Sequence, residues 1–268
     1  MSDKMNKSKL AKKLGLARST LYYESKKRKS DERDRKLILE VMESNPSYGH
    51  KRVALALGLN RKKTLRLMKK FNLKPKLLRK KGWVKNGDLK LPEAIYRNEI
   101  KNICPIVPNL AWAADFTYLR FRNEFIYLAT IIDIYTKEIV GASLSRWHNR
   151  YLVKSALLDA TKKRGRLPLY FHTDQGSEYQ SEEHADYLKE MGVNVSMSKK
   201  SSPWENCYQE SFYSQFKLEL GQINRFETDG HLAEAIYRQL YYYNHIRIHT
   251  SLKMPPSRFY SLARKRSI

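Results

Sequence analysis

The chain has 268 residues, with 52 Lys and Arg against 27 Asp and Glu, a formal net charge of +25. Two or three modules fit that length. No apolar stretch reaches the ~20 residues of a transmembrane helix, and the basic, polar N-terminus holds no signal-peptide core, so the expectation is an intracellular protein with no membrane partner.

The charge is unevenly spread. Residues 1–100 hold 29 basic and 10 acidic residues, 29 − 10 = +19, which leaves 23 − 17 = +6 for residues 101–268. A surplus of that density repels itself unless a polyanion neutralises it, so the N-terminal third is expected to face nucleic acid. Residues 1–30 read as a first helix-turn-helix segment: an apolar-periodic stretch from Ser8, a turn at Gly15, and a second helix presenting Arg18, Ser19 and Thr20.

Residues 31–73 read as a second basic helical segment. One helix, carrying Arg52, ends at Gly58, and Asn60 is placed to cap the next, from Arg61 to Phe71. Leu65 and Met68 are expected to face inward, with Arg61, Lys62, Lys63, Arg66, Lys69 and Lys70 covering the rest, a surface suited to double-stranded DNA phosphates. The lack of acids between positions 44 and 87 weighs against a merely solvated face. Residues 74–108, broken by Pro75, Pro92, Pro105 and Pro108 and carrying Arg79, Lys80 and Lys81, read as a linker able to track DNA.

From Ala111 the pattern turns to strands, at 111–119, 124–134 and 138–144, three adjacent and antiparallel. There follow a helix at 150–164, a strand at 169–173, a helix at 181–191, a strand at 193–198, a helix from Trp204 to Leu220 and another at 229–245. The order βββαβαβαα is that of an RNase H-like α/β domain over residues 109–268. Its mixed five-stranded sheet is flanked by helices and preceded by the all-α helix-turn-helix segment.

In that arrangement three carboxylates fall together: Asp115 in the first strand, Asp174 after the fourth, and Glu210 on a later helix. Hard Mg²⁺ prefers such oxygen ligands, and two ions ~3.5–4 Å apart can clamp both the attacking and the leaving oxygen of a phosphoryl transfer. On the helix of Glu210, Asn206 lies at −4 and Lys217 at +7, so the three point within about 40° of one another. The lysine and the amide are therefore candidates for DNA contact, with ordinary surface charge as the alternative. Asp133 is the rival of Asp115, able instead to cap a turn. For His172 and Gln175 two readings stand, contact with the scissile phosphate or shaping of the loop.

The segments Trp112-Ala113-Ala114-Asp115-Phe116-Thr117-Tyr118, Tyr127 to Asp133, Glu138-Ile139-Val140-Gly141, His172 to Tyr179, Asn206 to Lys217 and Tyr243 to His249 resemble the DDE transposases of the insertion-sequence-three type, specifically their second-reading-frame product, OrfB. Tyr48-Gly49-His50-Lys51-Arg52 and Leu67 to Leu73 extend the resemblance into the N-terminal half. It implies a retroviral-integrase-like core, Mg²⁺ (Mn²⁺ as substitute) at two ions per site held by Asp115, Asp174 and Glu210, and cleavage and joining of element ends. It also implies at least a dimer on DNA, a bacterial cytoplasmic setting, and a first-frame product, OrfA, as partner, this chain being either the catalytic portion or a short form.

Two departures stand out: Ser201-Ser202-Pro203-Trp204-Glu205 replaces a loop that usually carries glycine and Asp, and Leu252-Lys253-Met254-Pro255 lacks a customary glycine. With Cys104 and Cys207 the only cysteines, the zinc module of retroviral integrases is excluded. Two other functions compete: an RNase H-like endonuclease that hydrolyses without joining, and a non-catalytic DNA-binding regulator derived from a transposase.

Overall fold

The computed structural model describes residues 7–23, 26–77, 96–101, 103–174, 182–198 and 206–266. They divide into two compact units, Met1–Lys76 and Leu77–Ile268.

The first unit is helical. Helix α1, Lys7–Lys13, gives way at Gly15, whose φ of +64° suits a residue without Cβ. The second helix expected from Arg18 does not form as an α-helix. Arg18–Tyr22 is a five-residue 3-10 turn, entered at Ala17, which has no side-chain oxygen to cap it. Helix α2, Lys26–Ser44, runs across residue 30 and so joins the two N-terminal segments.

Helix α3, His50–Leu57, ends on Gly58 in the left-handed conformation, and α4, Arg61–Lys70, begins as expected, with Asn60 Oδ1 accepting from the amides of Lys62 and Lys63 at 2.9 and 3.2 Å. Its inward row is Thr64, Leu67 and Met68; Leu65 is only half-buried. The i, i+3, i+4 spacing of that row makes one buried stripe on α4, and Ile38, Met42 and Val53 of the same unit are buried as well.

The acids that α4 lacks come from α2. Asp31, 3% exposed, accepts from Arg66 (2.6 and 3.0 Å) and from Lys70 (2.8 Å), and Asp34 pairs with Lys63 at 2.5 Å. Three of the six cations read as DNA-facing on α4 therefore tie the helices together.

The second unit is built on the sheet. Strands β1 (Ala111–Phe121), β2 (Glu124–Asp133), β3 (Ile139–Ser145), β4 (Tyr170–Thr173) and β5 (Asn194–Met197) lie in the order β3-β2-β1-β4-β5. The β1–β2 and β2–β3 pairs are antiparallel, while β1–β4 and β4–β5 are parallel. β1 runs two residues past its expected end, since Leu119 and Phe121 keep alternating into the core before a tight turn in which Arg122 takes φ 53°.

Both faces of the sheet are covered, which is why its central strands are apolar almost throughout. Against one face pack α7 (Cys207–Leu220) and α8 (Asp229–His245), through Phe212, Phe216, Leu232 and Ile236. Against the other pack α5 (Arg150–Arg164), through Val153, Ala156 and Leu157, and α6 (Glu182–Glu190), through Leu188. Gly141 lets β3 meet α5: a Cβ there would stand 2.2 Å from the Ala156 carbonyl oxygen.

A final helix, α9, Pro256–Arg266, was not legible in the periodicity. Ahead of it Lys253 takes φ 60°, in the left-handed region, within the segment that lacks the customary glycine. No helix among the described residues is long and apolar enough to cross a membrane.

Candidate active site

Asp115 lies halfway along β1, the central strand, which β4 pairs with only from Ala111 to Ala113. The parallel register sets Ala113 opposite His172; carried two residues further, it brings Asp115 alongside Asp174, the residue that follows β4. Glu210 enters from α7 in its first turn, on the exposed side of the helix.

What fixes α7 against β1 is a buried polar cluster. Gln209 Nε2 donates to the carbonyls of Ala113 (2.6 Å) and Thr130 (2.9 Å), and its Oε1 accepts from Thr130 Oγ1 at 3.0 Å. Tyr213 Oη donates to the Asp115 carbonyl at 2.7 Å and lies 2.8 Å from Thr130 Oγ1, whose single proton is shared between Gln209 Oε1 and Tyr213 Oη. Glu210 is thus held beside the strand of Asp115 by its own neighbour in sequence and by a residue one turn on. Sequence reading missed both. Their signal is the spacing 209, 213, 216, 220, a fully buried row whose first member is an amide.

Burial, then the negative charges of Asp174 and Glu210, push the Asp115 carboxyl up to about 7, against the opposing pull of the Phe116 amide and Lys217. Burial also raises Glu210 and lowers Lys217, the latter countered by Asp115. Lys217 Nζ sits 5.3 Å from the centre of the Tyr118 ring. Asp115, Asp174, Glu210 and Lys217 thus lie on neighbouring elements, near enough for the other three charges to act on the Asp115 carboxyl. Among the described residues, however, no three His, Cys, Asp or Glu side chains stand close enough together to hold one ion.

Other expected site residues fare differently. Asn206 is 5% exposed and begins α7 without capping it, so its side chain does not reach outward; its Oδ1 and Nδ2 meet no hydrogen-bonding partner among the described residues. Asp133 is architectural: fully buried, it accepts from the amides of Asn109 (2.7 Å), Tyr135 (2.9 Å) and Thr136 (3.0 Å), closing the β2–β3 turn onto the start of β1. His172 is buried as well, with Nδ1 2.9 Å from Ser196 Oγ across β4 and β5, which favours its structural reading.

Gln175, the 201–205 loop and the basic cluster at 79–81 lie outside the described residues. In the first unit Arg61, Lys62 and Lys69 are exposed with no carboxylate paired to them among the described residues, as the DNA-facing reading requires, and Arg18 is exposed too. Arg52 stacks at 5.6 Å on the Tyr48 ring.

Models of the integrase core domain match residues 107–203 and 191–256. Among solved structures, the HTLV-2 integrase catalytic core in complex with magnesium superposes with a TM-score of 0.50 at 19% identity, over 58% of this chain and 98% of that one. A chain of the simian T-cell lymphotropic virus intasome gives 0.52 at 17% identity, over 83% and 74%. The fold is therefore the RNase H-like one of retroviral integrase cores.

The putative transposase InsK of insertion element IS150 from Escherichia coli is 30% identical over 258 residues, 89% of this chain and 87% of the relative. The transposase of IS904 from Lactococcus lactis is 38% identical over 147 residues, so that this chain spans 58% of that relative's length. The chain belongs to the DDE transposases of the insertion-sequence-three type, polynucleotidyl transferases with an integrase core.

Proposed function

We propose that the chain cuts DNA at the ends of an insertion sequence and joins those ends to target DNA, with Asp115, Asp174 and Glu210 as the ligands of two Mg²⁺ ions, Mn²⁺ being able to substitute. The observation that carries this reading is the placement of Asp115 midway along β1, beside the end of β4 that leads into Asp174 and against the helix that carries Glu210 and Lys217. Like charges near one another raise one another's proton affinity, and a nearby cation stabilises them as anions. The donor set is all carboxylate oxygen, the chemistry hard divalent ions take, and so the residues fit the group.

Bound there, divalent ions supply Lewis-acid neutralisation of the phosphoryl oxygens. The chain supplies the rest. Gln209 and Tyr213 fix the backbone from which Asp115 and Glu210 project, and Lys217 brings a cation to the phosphate flanking the cut. Arg61, Lys62 and Lys69 hold the duplex through its backbone. Synapsis of two ends calls for at least a homodimer, an OrfA product is the natural source of further end recognition, and the bacterial cytoplasm is where such DNA lies.

The test is a Mg²⁺-dependent cleavage and strand-transfer assay on labelled DNA from the ends of the protein's own locus, with Asp174→Asn beside the wild type. Joined products from the wild type alone are expected, with equal DNA affinity for both. Cleavage without joining would point to an endonuclease, and binding without either to a regulator.

A further inference from the structure

A cavity of about 650 Å³ opens in the second unit away from the carboxylates, lined by Asn109 and Leu110 at the start of β1, Leu169 at the start of β4, the C-terminal end of α5, and Tyr260 and Arg264 of α9. Four cations line it: Lys163, Arg164, Arg166 and Arg264. Arg164 forms part of its floor, 4% exposed, paired with Glu138 at 2.7 Å and stacked 3.6 Å from the Tyr260 ring centre, and its Nε has no hydrogen-bond partner among the described residues. Lys163 is paired with Asp159 at 2.7 Å. Those two carboxylates are thereby engaged. Arg166 and Arg264, both exposed, have no carboxylate paired to them among the described residues.

We propose that this cavity is a second phosphate-binding site, which takes a DNA backbone phosphate other than the one that reacts and grips it between Arg166 and Arg264. Guanidinium forks match phosphate oxygens bidentately, and the cavity's cations suit DNA, whose backbone repeats a singly charged phosphate along its length, better than one isolated carboxylate of a peptide side chain. The inference rests on the DNA-transposase reading only for the identity of the polyanion.

Distance separates the two sites. Asp115 and Asp174 lie four residues beyond Ala111 and Tyr170, about 13 Å along the strands at ~3.3 Å per residue, and the cavity begins on the near side of those two. A phosphate held there is out of reach of the reacting centre. The site anchors flanking or target DNA and takes no part in the chemical step.

The experiment uses the full chain, with Arg166→Gln/Arg264→Gln against the wild type, and fluorescence anisotropy of a labelled duplex over a range of salt concentrations. Each phosphate contact contributes about 0.9 to the slope of log affinity on log salt, so the double variant, which loses one phosphate, is expected to lose about 0.9 from the slope, with an unchanged melting temperature because both side chains are exposed. A control pair, Lys154→Gln/Arg238→Gln, removes two exposed cations elsewhere on the same unit and is expected to leave the slope close to wild type.

An unchanged slope in the double variant, or an equal loss in the control, overturns the site. In strand transfer the double variant should raise the DNA concentration needed for half-maximal rate while the saturated rate holds. A wild type that never joins ends, yet loses slope through Arg166 and Arg264, would sink the transposition reading and leave this site standing. Joining with an unaltered slope would do the reverse.

Discussion

Asp31 in the first unit sits in a run of charged residues and Asp115 in the second in an apolar strand, and the fold gives the two carboxylates opposite company. Asp31 is met by Arg66 and Lys70, whose hydrogen bonds and charge hold its carboxyl well below the usual carboxylate range. Asp115 is met by Asp174 and Glu210, and its carboxyl is pushed up to about 7. Opposite charges brought together are architecture. Like charges brought together cost stability in the free protein and have to be explained by something they bind.

The sharpest way to break this contrast is one substitution made in both places. Asp115→Asn is expected to lower strand transfer by roughly 10³-fold or more, as loss of a member of a concerted catalytic set does, while leaving the melting temperature equal or higher, because one repelling charge has gone. Asp31→Asn should lower the melting temperature and leave the saturated strand-transfer rate within a few fold. If Asp115→Asn unfolded the protein instead, its carboxylate would be a structural group and the site reading would fail.

A smaller effect probes what holds the like charges near one another. Gln209→Leu keeps the bulk but strips the amide from Ala113, Thr130 and the Thr130 hydroxyl, at a cost of about 1–3 kcal/mol for buried groups left unpaired. Tyr213→Phe removes the bond to the Asp115 carbonyl and should cost about 1 kcal/mol. Both are expected to slow joining with DNA affinity intact, since they loosen α7 against β1 and touch no DNA. Denaturant unfolding and single-turnover strand transfer measure the two arms; a stability loss with an unaltered rate would make the cluster purely structural.

These cases also show where the sequence was legible. The core was readable because its strands are short apolar runs between turn residues, and helix α5 and helix α8 fall where their periodicity placed them. Asp115 falls on β1, Asp174 just after β4 and Glu210 on α7, the elements the strand order assigned them. The N-terminal unit was not, for a physical reason: Asp31 and Asp34 lie more than two dozen positions before the cations they neutralise, so a local count of acids around α4 found none. Motif residues with architectural roles were equally hidden. Asn244 pairs its side-chain amide with both the N–H and the carbonyl of Ile139 at 2.9 Å, and Arg247 meets Glu219 at 2.9 Å in a buried pair, contacts that depend on α8 folding back along β3 and α7.

The smallest expected effect lies in pH. A carboxyl whose folded pKa is depressed contributes stability that is fully present above its unfolded pKa, near 4, and is lost as pH falls toward the folded value. For Asp31 the folded value is held low by Arg66 and Lys70, so the wild-type first unit should weaken progressively as pH drops below about 5. Asp31→Asn has no such proton to gain. Its deficit relative to wild type, largest near neutrality, should therefore narrow as the medium is acidified. Unfolding curves of both proteins across that range give the difference directly. A gap that stays constant with pH would mean that Asp31 contributes through packing and hydrogen-bond geometry that its amide reproduces badly, and that the charge of Arg66 and Lys70 is as available to DNA as the exposed Arg61 and Lys62 beside them.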